Sequence, residues 1–147
     1  MQKVLIANRG EIALRIMRSL KEMGIQTVAV FSAADRLAPF VKAADEAVYL
    51  GPAPSSESYL KTDLILQKAK ELGLDAIHPG YGFLSENPDF ARAIAEAGLT
   101  FIGPDSRAIE IMGDKLAAKA AVQQYDIPLL PGTDEPMKDL EAAQAVA

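Results

Sequence analysis

The chain contains no cysteine and a single histidine, His78. Without thiols neither a disulfide framework nor a thiolate metal site can form, and one imidazole is too few for a histidine-rich site, so a zinc centre is excluded. No apolar run approaches the roughly 18 residues that span a bilayer. Met1-Gln2-Lys3 leads straight into a strand-like segment without the pattern of a signal peptide. These absences read as a cytoplasmic protein with no membrane partner. Positive charge is also in short supply, because the net charge is −5 and the 15 Lys and Arg are scattered along the chain. A phosphate backbone would be repelled, which argues against a nucleic-acid partner.

What is present has the balance of a folded domain. Half of the 147 residues are apolar and 24% are charged, a composition that argues against disorder. A single domain of this length buries roughly 68–70% of its unfolded surface, enough for a real core. Short apolar runs alternate with stretches of helical period, the sign of βαβ units around a parallel sheet. Strands are predicted over Lys3 to Ala7, Gln26 to Phe31, Ala47 to Leu50, Asp75 to Ile77 and Leu99 to Ile102. The first helix is predicted over Glu11 to Met23, where Ile12, Ala13, Ile16, Met17, Leu20 and Met23 form one apolar stripe and Arg15, Arg18 and Glu22 lie outside it. Further helices are predicted from Tyr59 to Leu72, from Asn87 as cap with Pro88 at the first position to Ala97, from beyond Gly103-Pro104 to Met112, and from Asp114 as cap to near Tyr125. Pro128, Pro131, Gly132 and Pro136 then read as a connection between domains. A helix beginning at Leu140 has no cap or stop before Ala147 and is marginal by itself, so the natural protein is expected to continue.

Three segments carry residue types suited to chemistry. The first strand-to-helix turn, Ala7-Asn8-Arg9-Gly10-Glu11, stands where a dinucleotide fold has its three-glycine fingerprint, yet it has one glycine and an acid in the first helical turn. That argues against NAD or FAD. Locally, Arg9 and Glu11 read as a strand-end arginine and a first-turn acid favoured by the helix dipole. The segment from His78 to Asn87 follows the carboxyl end of a strand, where open α/β sheets hold ligands. Gly80 and Gly82 permit close backbone approach, while Tyr81, Ser85 and Glu86 offer a ring, a hydroxyl and a carboxylate. The alternative is a tight structural turn with His78 hydrogen-bonded in place. Lys115, at the first position of its helix, opposes the dipole by a few tenths of a kcal/mol and would ordinarily be just a solvated lysine.

Four stretches taken together, LIANRGEIALRI from Leu5, ADEAVYLGPAPSSESYL from Ala44, AIHPGYGFLSEN from Ala76 and FIGP with MGDKLAAK from Phe101, resemble the N-terminal domain of biotin carboxylases. They occur in the family's order and spacing across nearly the whole chain. The resemblance implies an α/β, Rossmann-like open and mainly parallel sheet with helices on both faces, the pre-ATP-grasp domain. This domain would cover 1–125, with 126–147 leading towards an ATP-grasp lid domain. It implies an enzyme that uses ATP and Mg2+ to activate bicarbonate and to carboxylate biotin on a carrier protein or domain, alongside a carboxyltransferase component. Lys115 matches the family lysine that reaches the nucleotide. Tyr81 and Gly82 match loop residues on the biotin side, with Glu86 the acid beside them. Arg18 and Glu22 match positions at the family's homodimer contact; without a partner they read as an exposed i,i+4 pair. The glycine-rich lid, the magnesium-holding glutamates and the residues that handle bicarbonate and biotin lie beyond Ala147 in the family. No catalytic or metal-binding residue is therefore expected in this chain, which alone should be inactive.

The stretch from Ala34 to Phe40 departs from the common family pattern, with Pro39-Phe40 where a histidine is frequent, and reads as surface. Two other functions compete: another ATP-grasp ligase, against which the GPAPSSESYL and HPGYGFLSEN stretches speak, and a non-enzymatic flavodoxin-like binding module. The segments His78 to Asn87 and Gly103 to Lys115, both following strand carboxyl ends, are expected to converge at one end of the sheet.

Overall fold

A computed structural model describes residues 1–123, 125, 127–129 and 144. Strands β1 (Lys3–Ile6), β2 (Gln26–Ser32), β3 (Glu46–Gly51), β4 (Ala76–His78) and β5 (Thr100–Phe101) form one sheet in the order β3-β2-β1-β4-β5. Every pairing is parallel, with Leu5 opposite both Val28 and Ile77. The helices are α1 (Gly10–Glu22), α2 (Pro39–Ala43), α3 (Thr62–Glu71), α4 (Pro88–Glu96), α5 (Ser106–Gly113) and α6 (Lys115–Gln123). No helix among the described residues is long and apolar enough to cross a membrane.

The pleat explains why helices cover both faces. Successive strand residues point to opposite sides. Val4, Ile6, Ala29 and Ala76 therefore pack with Ile12, Ile16, Met17 and Leu20 of α1 and with Phe40 of α2. Leu5, Val28, Val30 and Ile77 face the other way, onto Ile65 and Ala69 of α3 and Phe90 and Ile94 of α4. Strands buried on both faces have continuous apolar sequences, as in Val4-Leu5-Ile6. From β1 the chain adds β2 and β3 on one side, then crosses over to add β4 and β5 on the other. The order thus reverses between β1 and β4, and the crevice beyond their carboxyl ends is the natural ligand position in such a sheet.

Most predicted elements lie within a residue or two of their places, and the differences have tertiary causes. The third helix starts at Thr62 instead of Tyr59. Tyr59 is almost completely buried, its ring stacked on Phe83 and its hydroxyl donating to Asp35 at 2.6 Å, and these contacts hold it before the helix. The stretch ending in Phe40 is not wholly surface: Pro39 opens α2, and Phe40 is fully buried against the α1 side of the sheet. A five-residue helix carries too little apolar period to be recognised from sequence. Asn87 caps α4 as expected, its side chain accepting from the Phe90 N–H at 2.9 Å, and Asp114 caps α6 by accepting from the Ala117 N–H. Asp105 caps α5 in the same way. The connection expected over 126–147, including the helix expected from Leu140, lies outside the described residues except at 127–129 and 144.

Candidate functional site

The turn after β1 and the loop after β4 meet at the reversal point of the sheet. Gly10 turns the chain into α1 with φ +65, a conformation that favours glycine. Just before it Asn8, only 4% exposed, directs its amide towards the other strand. Its Nδ2 donates to the carbonyls of Pro79 and Tyr81, both at 2.8 Å, and its Oδ1 accepts from the Arg9 N–H at 2.9 Å. Gly80 passes so close that a Cβ there would come within 2.7 Å of Asn8 Nδ2. On the inner side of the loop the Gly80 N–H donates to Nδ1 of His78 at 3.0 Å. His78 is thus hydrogen-bonded in place, as the structural alternative required. Burial, with Arg15 nearby, holds its pKa below the usual imidazole value.

The outer part of the loop carries the polar groups. Tyr81 is exposed, and its hydroxyl donates in a short hydrogen bond to the Glu11 carboxylate in the first turn of α1. That bond, made by the neutral phenol, raises the Tyr81 pKa. Phe83 has φ 45, a left-handed conformation that costs a non-glycine residue about 1–2 kcal/mol. Its surroundings fix it there. The Phe83 ring stacks on Tyr59 at 5.4 Å between centroids, and the Arg9 guanidinium lies 5.8 Å from its centre. Arg9 also approaches Asp35 at 3.9 Å, while Asp35 accepts from Ser32 Oγ and Tyr59. Burial first and the Asp35 carboxylate second push the Tyr59 pKa up to about 12. The result is an open cleft of about 340 Å³ bordered by Asn8, Arg9, Glu11, Tyr81, Gly82 and Phe83.

A second cleft, of about 440 Å³, lies where the end of the same loop meets α5. Ser85 and Glu86 face Pro104, Ile109, Met112 and Gly113 across it. The two segments expected to converge do so through these residues. Lys115 follows two positions after Gly113, at the start of α6, exposed and lining neither cleft. Arg18 and Glu22 stand apart from both clefts on the exposed side of α1, and among the described residues no ion pair joins them. Tyr81, Gly82 and Glu86 are therefore brought together along one loop, with Tyr81 and Gly82 at the first cleft and Glu86 at the second. Among the described residues no group of three or more His, Cys, Asp and Glu side chains is arranged to hold a metal ion.

Sequence reasoning missed Asn8, Asp35 and Tyr59. Asn8 and Tyr59 stood inside quoted motifs, but nothing local distinguishes a buried asparagine from an ordinary turn residue. The one usable signal for Asn8 was its place directly after the buried apolar run Val4-Leu5-Ile6-Ala7.

Comparison with known proteins gives a consistent result. The family model described as biotin carboxylase, N-terminal domain, matches residues 1–109. The chain is 53% identical over 148 residues to biotin carboxylase of Pseudomonas aeruginosa, covering 100% of this chain and 33% of that protein. It is 50% identical over 145 residues to the human mitochondrial propionyl-CoA carboxylase alpha chain, covering 99% of this chain and 20% of that one. Among solved structures, the biotin carboxylase domain dimer of Hydrogenobacter thermophilus 2-oxoglutarate carboxylase, in complex with MgADP, ADP and bicarbonate, superposes with a TM-score of 0.92 at 49% identity. That match covers 99% of this chain and 32% of that one. The chain thus spans about a third of the length of the bacterial relative. With a family model matched over most of its length and a fold shared with solved biotin carboxylase domains, the chain belongs to the biotin carboxylase N-terminal domain family.

Proposed function

We propose that this chain is the N-terminal part of an enzyme that carboxylates biotin at the expense of ATP, with bicarbonate as the carbon source and a biotin carboxyl carrier protein or domain presenting the biotin. The observation that carries this reading is the joining of two family motifs at the reversal point of the sheet, through Asn8 and the Tyr81–Glu11 hydrogen bond. A loop anchored over Pro79 to Tyr81 suits a wall against which a compact bicyclic ring system with a polar ureido group is oriented.

Within that reading Tyr81 and Gly82 border the biotin end of the site, with Glu86 beside them, and Lys115 supplies a cation to the nucleotide. An exposed ammonium at a helix N-terminus is locally unfavourable, and a phosphate partner would outweigh that cost. Arg18 and Glu22, exposed and not paired with one another, are free to meet a second protomer in a homodimer. The Hydrogenobacter relative, a dimer with MgADP and bicarbonate, supports nucleotide, magnesium, bicarbonate and dimer for the parent enzyme. Among the described residues no three metal-ligating side chains are gathered, so the reading takes the magnesium ligands from other parts of that enzyme. A carboxyltransferase component would take the carboxyl group onward, and the compartment is the cytoplasm. The test is an assay of the intact enzyme for ATP cleavage that requires bicarbonate and rises with biotin. ATP cleavage indifferent to biotin would point to another ATP-grasp ligase.

A further inference from the structure

We infer that Asn8 is a positioning residue for the biotin-facing loop, holding the Pro79–Tyr81 backbone so that Tyr81 and Gly82 present a fixed surface. This rests on the reading of that loop given above. Asn8 stands at the floor of the cleft, but it is buried and its amide is consumed within the protein, so it acts through the loop it holds. Both N–H groups are used, one on each carbonyl flanking Gly80, and the oxygen is used on the Arg9 N–H. An amide is the one small neutral side chain that can donate twice and accept at the same time. Aspartate has nearly the same shape but would set a carboxylate against two carbonyls, and serine has a single hydroxyl proton to donate. The close approach of Gly80 completes the fit, since a side chain there would meet Asn8 itself.

Two features make the clamp necessary. Phe83, soon after it, has φ 45, a conformation disfavoured for a non-glycine residue, so the loop runs through strained backbone that its anchors must hold. The Tyr81 ring is exposed, and its described hydrogen bond is the one to Glu11 on the other motif. Asn8 ties those motifs together one turn below. A loop that shifts by about 1 Å can lose on the order of a hundredfold in rate when it orients a reacting group.

The single histidine provides a reporter inside the clamp. Because Nδ1 of His78 accepts from the Gly80 N–H, the neutral ring carries its proton on Nε2, and the Gly80 position is set by Asn8. Nitrogen-15 NMR of the imidazole in the 147-residue chain should show one tautomer, Nε2–H, and a titration midpoint below the ordinary one. In Asn8→Ala and Asn8→Asp, with the Gly80 N–H no longer held against Nδ1, the ring should sample both tautomers. Ile94→Val, a core change on α4, should lower the unfolding temperature without altering the imidazole spectrum. If Asn8→Ala does not fold, Asn8→Ser, which keeps one donor, carries the same comparison.

In the intact carboxylase the same Asn8 substitutions should lower kcat/KM for free biotin by about tenfold to a hundredfold while leaving the KM for ATP unchanged. Tyr81→Ala serves as the reference for the loop. If Tyr81→Ala impairs biotin turnover while the Asn8 variants keep the native tautomer and native biotin kinetics, the positioning role is overturned and the reading of the loop stands. If no variant, Tyr81→Ala included, changes biotin kinetics, the reading of the loop fails and the inference with it. Equal losses for biotin and ATP in the Asn8 variants would assign Asn8 to general stability and would also overturn it.

Discussion

The Tyr81 hydroxyl donates to the Glu11 carboxylate across the crevice between β4 and β1, joining residues 70 positions apart in sequence. Neither residue is buried by this contact, so its consequence lies in the orientation of the loop more than in the stability of the fold. Tyr81→Phe removes the bond and keeps the ring. The unfolding temperature of the chain should stay close to native while the KM for free biotin in the intact enzyme rises. A lowered melting temperature with native biotin kinetics would show that the bond serves the fold instead.

Tyr59 gives a prediction in pH. Its folded pKa, about 12, stands above the value near 10 expected when the chain is unfolded. Below about pH 10 both states hold the phenolic proton, and the stabilisation is fully present. As pH rises towards 12 the unfolded chain releases the proton while the folded one retains it, so stability falls by on the order of 2 kcal/mol. Urea unfolding between pH 8 and about pH 12 should show a steeper loss in the native chain than in Tyr59→Phe. Parallel curves would mean that Tyr59 does not hold its proton as the Asp35 contact requires.

Much of this architecture was legible in the sequence, for identifiable reasons. The α1 stripe of Ile12, Ile16 and Leu20 and the unbroken Val4-Leu5-Ile6 run each allow one assignment, and Asn87-Pro88 fixes the start of α4. The helix start at Thr62 was not legible, because Tyr59 continues the helical period in sequence but is held by Phe83 and Asp35, which come from distant segments. Phe40 was misplaced for the same reason, as its burial depends on α1 packing over it. In the candidate site, the residue types of the His78 to Asn87 loop drew notice but left a structural turn open, and the resemblance supplied the expected roles of Tyr81, Gly82 and Glu86. Asn8 did not, because its role is to satisfy carbonyls 71 and 73 residues away.

Lys115 should matter to nucleotide use and little to folding. It is exposed beside the Asp114 cap, and surface substitutions of this kind change stability by less than about 0.5 kcal/mol. Lys115→Ala in the intact enzyme should raise the ATP concentration needed for half-maximal rate, with the melting temperature of the chain nearly unchanged. An unaltered ATP dependence would remove Lys115 from the nucleotide site.

Arg18 and Glu22 test the dimer. Both are exposed on α1, away from the apolar stripe that packs on the sheet, so reversing either charge should leave the fold intact. Sedimentation of the intact enzyme carrying Arg18→Glu should show a larger monomer fraction, partly restored on adding Glu22→Arg only if the two meet each other's positions across the interface. A dimer unaffected by either reversal would place the contact elsewhere.

We expect this chain, residues 1–147, to fold by itself without carboxylating biotin. Two layers of helices close over its five-stranded sheet. Phosphoryl transfer to bicarbonate, however, needs positioned metal ions and several cations around the transferring group. A single exposed ammonium attracts a charge at 4 Å by only about 1 kcal/mol in water, too little to hold a hydrated nucleotide tightly. The decisive measurement is a bicarbonate-dependent phosphate-release assay of residues 1–147 with free biotin, run beside calorimetric titration with magnesium-ATP. The expected result is a folded chain with no biotin-dependent turnover and at best weak nucleotide binding; micromolar ATP affinity or biotin-dependent phosphate release by this chain alone would contradict it.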